Sequence, residues 1–185
     1  MMMPSQLQGI TEARKLLEIQ DLQDRLKKIK LLILDVDGVL TDGRIFWLES
    51  QGWTRYFNVK DGYGLVLLRE SGVQIAVISG GDSKDVRFRM KFLKIQHVFL
   101  GDEEKLKALD KIQKTTGFDY EAMAFIGDDL YDIPIIEKVG FSATVPHAVP
   151  EVKNKVHYIT ENHGGWGAVR EVADAIRAAR AESPS

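Results

Sequence analysis

The chain has 185 residues, 25 Lys plus Arg against 27 Asp plus Glu, a formal net charge of −2 and no cysteine. One core typically serves about 100 to 200 residues, so a single domain over 1–185 is expected, and 44% hydrophobic residues suffice to fill it. The composition excludes disulfides, thiolate metal sites and cysteine nucleophiles, and its balanced charge speaks against a nucleic-acid partner. No apolar run approaches the roughly 18 residues of a membrane span. Residues 1–9 lack a basic start and an apolar stretch, so neither a signal peptide nor a membrane partner is expected, and the protein is read as cytoplasmic.

In chain order, Ile10, Leu16, Leu17, Ile19, Leu22, Leu26 and Ile29 recur at helical spacing, predicting an amphipathic helix over 11–28 within an N-terminal extension, 1–29. Lys30 to Leu34 is a continuous apolar run, as in a strand buried on both faces. Two aromatic-rich segments, 44–49 and 53–59, flank Ser50-Gln51-Gly52 and predict a β-hairpin flap over 44–59. Helices are then expected near 61–71, 83–93, 103–116, 129–138 and 166–181, and strands near 74–79, 97–100, 122–126, 140–144 and 156–159. Repeated strand–helix alternation implies an α/β fold with a doubly wound parallel sheet over 30–181, whose ligands bind at the carboxyl ends of the strands.

The strongest chemical signal is Asp35-Val36-Asp37-Gly38, directly after the first buried strand. Two residues apart on extended chain, the two carboxylates share a face and repel, which favours a bound cation. Mg²⁺ suits paired carboxylates and a substrate phosphate, and a carboxylate can itself attack phosphorus. A plain Asp/Gly turn is the competing explanation, but acids closing an apolar strand are costly unless used. A second strand end carries Gly127-Asp128-Asp129-Leu130-Tyr131-Asp132. Helix capping alone would explain Asp129, whereas three acids in five residues beside another acidic strand end point to a metal site. Between them, Ser79-Gly80-Gly81 ends a strand where backbone can approach a phosphate, and Lys105 opens a helix and can balance its charge. The four histidines show no ligand spacing, and the Arg87, Arg89 and Lys91 run reads mostly as a solvated helix face.

This ordered set resembles the haloacid dehalogenase superfamily over about residues 31–145. The resemblance implies a nucleophile at Asp35 and a general acid and base at Asp37, with Ser79, Gly80 and Lys105 holding the phosphoryl group. It implies Mg²⁺ on Asp35, Asp37 (through its carbonyl) and Asp128, with Asp129 or Asp132 in support. The intervals from Asp37 to Ser79 and from Lys105 to Asp128 are used up by core elements, leaving no room for the cap domain of many relatives. An uncapped site admits water, so a cover is expected from a neighbouring subunit's aromatic hairpin, or else those aromatics pack on their own domain.

The stretches 35–43, 57–64, 127–134 and 164–171 are further similar to the capless 3-deoxy-D-manno-octulosonate 8-phosphate phosphatases, over about 29–175. That resemblance implies a homotetramer with hairpins over neighbouring sites, a place in lipopolysaccharide biosynthesis, and substrate contacts from Asp37, Asn58, Val59, Lys60, Asp61, Gly62, Arg89 and Lys105. Val66, Gly81 and Trp166 stand where that subfamily usually carries arginine, which keeps nonulosonate 9-phosphates open as substrates. Two readings of other classes remain. A receiver-type signalling module would place its accepting Asp on a later strand than the acidic pair. An inactive homologue would not be expected to keep all four motif elements.

Overall fold

The computed structural model describes residues 20–101 and 104–181. Helix α1 (Gln20–Lys28) leads into strand β1 (Leu31–Leu34); the 11–19 part of the expected first helix lies outside the described residues. Hairpin strands β2 (Phe46–Leu48) and β3 (Gly52–Thr54) follow a kinked turn, and then come α2 (Val59–Glu70), β4 (Gln74–Ser79), α3 (Lys84–Phe92), β5 (His97–Leu100) and α4 (Lys105–Thr116). Strand β6 (Met123–Ile126), α5 (Ile133–Ile136), β7 (Phe141–Thr144), α6 (Pro150–Lys153), β8 (Tyr158–Ile159) and α7 (Ala168–Ala181) complete the chain.

The six core strands form one sheet in the order β5-β4-β1-β6-β7-β8, every neighbouring pair parallel. β1 sits at its centre, with Leu31–Leu34 in register with Gln74–Val77 on one side and Met123–Ile126 on the other. All four residues of β1 are fully buried, so the continuous apolar run is what a strand covered on both faces requires. Alternation divides them between two cores: Leu32 and Leu34 pack with α1, α2 and α7 through Leu26, Leu68 and Ile176, while Leu31 and Ile33 pack with α4 and α5 through Leu109 and Ile135. Each such side chain contributes about 1.5 to 3 kcal/mol by leaving water. The chain turns to opposite sides of β1 to build the two halves of the sheet, which opens a crevice beyond its carboxyl end.

Three elements differ from expectation. The helix expected at 129–138 is a short 3-10 turn, Leu130–Asp132, followed by the one-turn α5. Asp129 and Asp132 form a capping box there, and Pro134 stands at the start of α5, so the segment has two starts and little length. The hairpin strands have three residues each rather than about six. The short helix α6, opened by Pro150, has no counterpart among the expected elements. Among the described residues no cap domain is inserted into the core.

Candidate active site

Asp35 leaves the end of β1 with its N–H bonded to the Ile126 carbonyl at 2.9 Å, which carries the sheet ladder one residue past the strand. The chain then kinks through Asp37 and Gly38, the latter at φ +84°, a conformation that glycine adopts without cost. A Cβ on Gly38 would lie 2.0 Å from Asp128 Oδ2, so the missing side chain is also what lets the second acidic strand end close against the first. Gly164 plays the same part from the opposite side, its Cα facing the Gly38 carbonyl at a distance no Cβ could share.

A cavity of about 380 Å³ opens over this junction, lined by Asp35, Asp37, Ser79, Gly80, Lys105 and Asp128 together with Gly38, Gly43, Gly81, Asp129, Tyr131 and Asp132. Carboxylate oxygens of Asp35, Asp128 and Asp132 all lie within 4.8 Å of one another. Lys105 enters from the first residue of α4, its ammonium 2.7 Å from Asp35 Oδ1 and 2.6 Å from Asp132 Oδ1. The other oxygen of Asp132 accepts the N–H groups of Asp128 at 2.8 Å and Asp129 at 3.1 Å. Asp132 is thus committed on both oxygens to holding the turn and the lysine.

Burial pushes the Asp35 carboxyl up to about 7 despite the pull of Lys105, and Asp132 adds to the rise. Burial likewise pushes Asp128 up to about 7, helped by Asp35 and Asp132. Burial also disfavours the charge on Lys105, but the two carboxylates outweigh it and raise its pKa. Three clustered acids against one ammonium leave excess negative charge in a confined space, and a proton or a cation must offset it.

Sequence-expected residues separate into two groups. Asp35, Asp37, Ser79, Gly80, Lys105, Asp128, Asp129 and Asp132 all line the one cavity. Asn58, Val59, Lys60, Asp61, Gly62 and Arg89 do not. Asn58 caps α2 by accepting the Lys60 N–H at 2.7 Å and donates to the Gly165 carbonyl at 2.9 Å. Asp61 is fully buried and accepts the N–H groups of Gly167 and Arg170, which caps the start of α7; burial pushes its carboxyl up to about 6. Arg89 packs against Gly62 and donates to the Asn58 carbonyl at 3.1 Å. Val59 and Lys60 point outward.

One neighbour of the site was not anticipated. Arg55, just past β3, reaches Asp37 with two donors. The only hint in the sequence is a cation in an otherwise aromatic segment. A second cleft, about 320 Å³, lies at the opposite ends of β4 and β5 and has no acidic lining residue.

The chain matches the family model described as haloacid dehalogenase-like hydrolase over residues 70–172. It is 42% identical over 156 residues to the 3-deoxy-D-manno-octulosonate 8-phosphate phosphatase of Yersinia pestis, covering 84% of this chain and 83% of that one. It is 41% identical over 162 residues to the enzyme of the same name from Haemophilus influenzae, covering 88% and 90%. Among solved structures, the Moraxella catarrhalis phosphatase of that name, in complex with a magnesium ion, a phosphate ion and a KDO molecule, has a TM-score of 0.85 at 39% identity, covering 88% of this chain and 94% of the other. The chain belongs to the haloacid dehalogenase-like hydrolases and is a phosphoric monoester hydrolase.

Proposed function

We propose that the protein is a Mg²⁺-dependent phosphatase that converts 3-deoxy-D-manno-octulosonate 8-phosphate to the free sugar acid and phosphate. The observation that carries this is the buried Asp35 at the end of the central strand, 2.7 Å from Lys105 Nζ and beside the carboxylates of Asp128 and Asp132. The names of the relatives supply the substrate, and the ordered motifs supply the chemistry.

The residues present fit Mg²⁺, which prefers hard oxygen donors and one or two carboxylates. Asp35, Asp128 and the Asp37 carbonyl would hold it, with Asp132 bracing the turn that presents Asp128. When bound, the ion neutralises charge on the phosphoryl oxygens.

The reaction proceeds on this chain's own groups. An Asp35 carboxylate oxygen attacks phosphorus, the Asp35 O–P bond forms, and the bond from phosphorus to the sugar oxygen breaks. Asp37 gives its proton to that departing oxygen. Asp37, now ionised, takes a proton from water as the water attacks phosphorus, which frees phosphate and restores Asp35. Lys105, the Ser79 hydroxyl and the backbone at Gly80 hold the phosphoryl oxygens.

Without a cap, cover is assigned to a second copy of the chain, as a homotetramer. Trp47 and Trp53 pack on each other edge to face at 5.2 Å across the hairpin, yet remain 59% and 51% exposed, and Val59 just beyond is 78% exposed. Their exposure, with that of Lys60, supports a role for the hairpin and the 58–62 segment against another subunit. No helix among the described residues is long and apolar enough to cross a membrane.

Phosphate release with Mg²⁺ from octulosonate 8-phosphate, nonulosonate 9-phosphates and simple esters tests the assignment. The expected order puts the octulosonate ester first in kcat/KM. A nonulosonate ester in first place would reassign the substrate, and no preference over simple esters would overturn the sugar-acid reading.

A further inference from the structure

Arg55 belongs to the exposed hairpin, yet its side chain turns inward and is only 7% exposed. Nε donates to Asp37 Oδ1, and Nη2 donates to Oδ2 at 3.0 Å. Nη1 donates to Ser83 Oγ at 2.9 Å and lies 3.4 Å from both oxygens of Asp85, while Ser83 Oγ itself donates to Asp85 Oδ1. A guanidinium has five N–H groups, so at most one is left for a ligand. An arginine engaged in this way is a brace, not a substrate clamp.

The brace ties together three pieces of chain. Arg55 comes from the hairpin, Asp37 from the turn after β1, and Ser83 and Asp85 from the start of α3, just past the Ser79 strand end. Asp37 needs such support. Its side chain is 38% exposed, and a short carboxylate at a cavity mouth otherwise samples several rotamers. The planar fork of an arginine fixes both carboxylate oxygens at once, which the point charge of a lysine cannot do. Each oxygen keeps a further lone pair for a proton.

We propose that Arg55 is a positioning residue for Asp37, holding its carboxyl group in the orientation from which the protonated form gives its proton to the departing sugar oxygen. This rests on Asp37 being the general acid of the proposed reaction. Removing the brace should therefore hurt only substrates whose leaving oxygen needs that proton.

The test compares kcat/KM, which reports steps up to departure of the leaving group, for an alkyl phosphate ester and for p-nitrophenyl phosphate, whose leaving group departs without a proton. General acid catalysis is typically worth about 10² to 10⁴. Arg55→Ala is expected to lose roughly 100-fold on the alkyl ester and less than about fivefold on p-nitrophenyl phosphate, a pattern shared with Asp37→Ala. Arg55→Lys should recover only a small part, and Arg55→Ala added to Asp37→Ala should cost little more. Asp85→Ala, which loosens the brace without touching Asp37, should show the same asymmetry in weaker form and serves if Arg55→Ala does not fold. Equal losses on both substrates, full rescue by lysine, or additive losses with Asp37→Ala would overturn the positioning role. If Asp37→Ala itself shows no leaving-group asymmetry, the general-acid reading falls instead, and the role of Arg55 with it.

Discussion

Lys105 Nζ stands 2.7 Å from Asp35 Oδ1, with each side chain less than a tenth exposed. Because the same ammonium also bonds Asp132, it neutralises part of an acidic cluster while facing the cavity where a phosphoryl group would sit. Removing one member of a buried ion pair typically costs about 3 to 5 kcal/mol, since the remaining charge is left unpaired. Lys105→Met should therefore lower the metal-free melting temperature, regain part of the loss in Mg²⁺, and lose about 100-fold or more in kcat/KM. Thermal melts with and without Mg²⁺, alongside kinetics, check this; an unchanged metal-free melt would contradict the pairing.

Mg²⁺ binding should release protons. Asp35 and Asp128 are both pushed up to about 7 by burial, so below that pH they hold protons that a cation must displace. Affinity is expected to fall as the pH drops from about 8 to 6. Calorimetric titration at pH 7 in two buffers of different ionisation enthalpy should show net proton release, and proton uptake would refute it.

Asp61 gives a stability expectation with a definite sign. Its folded-state carboxyl, raised to about 6 by burial, holds a proton more tightly than the unfolded chain does at an ordinary 3.8. Its contribution is present below pH 4 and is lost as pH rises to about 6, by roughly 3 kcal/mol at 1.4 kcal/mol per tenfold. Asp61→Asn removes the buried charge but keeps an acceptor for only one of the two N–H groups, so it starts less stable than the wild type at pH 4 and gains on it between pH 4 and 7. Asp61→Ala leaves both N–H groups unpaired and should cost about 1 to 3 kcal/mol at pH 4, a deficit that narrows as the pH rises to 6 and the wild type loses its own contribution. Denaturant unfolding across that pH range distinguishes the three proteins.

Gly164→Ala probes the contact that frames the catalytic turn. Its Cβ would stand 1.7 Å from the Gly38 carbonyl oxygen, and backbone cannot swing aside as a flexible side chain can. Overpacking of this kind typically costs about 1 to 3 kcal/mol. The turn carrying Asp37 must shift, so kcat/KM should fall by far more than the stability loss alone would cause. Full activity in a folded variant would show that the turn has slack.

The parts of this protein that were legible in its sequence are those governed by local rules. Leu31–Leu34 announces a strand buried on both faces, and the acids that close it announce a site, because both follow from period and desolvation. Capping alone explains Asp129 in the sequence, and its capping box with Asp132 shows that a short turn can make the same residues serve backbone and cavity together. Arg55 could not be assigned in advance, since its grip on Asp37 depends on how the hairpin folds back across the start of α3. The cap made by Asp61 was illegible for a related reason: its partners, Gly167 and Arg170, lie more than a hundred residues away, and only the packing of α2 on α7 brings them to it.

The central claim is that the Asp35 carboxylate takes the phosphoryl group. Acid-quenched single-turnover reactions followed by peptide mass mapping test it most directly. The phosphoryl group should appear on the peptide containing Asp35 in the wild type, and Asp35→Asn should fold normally, trap no phosphoenzyme and release no phosphate. Phosphate release by Asp35→Asn at the wild-type rate, or a phosphoryl group mapped to another residue, would contradict it.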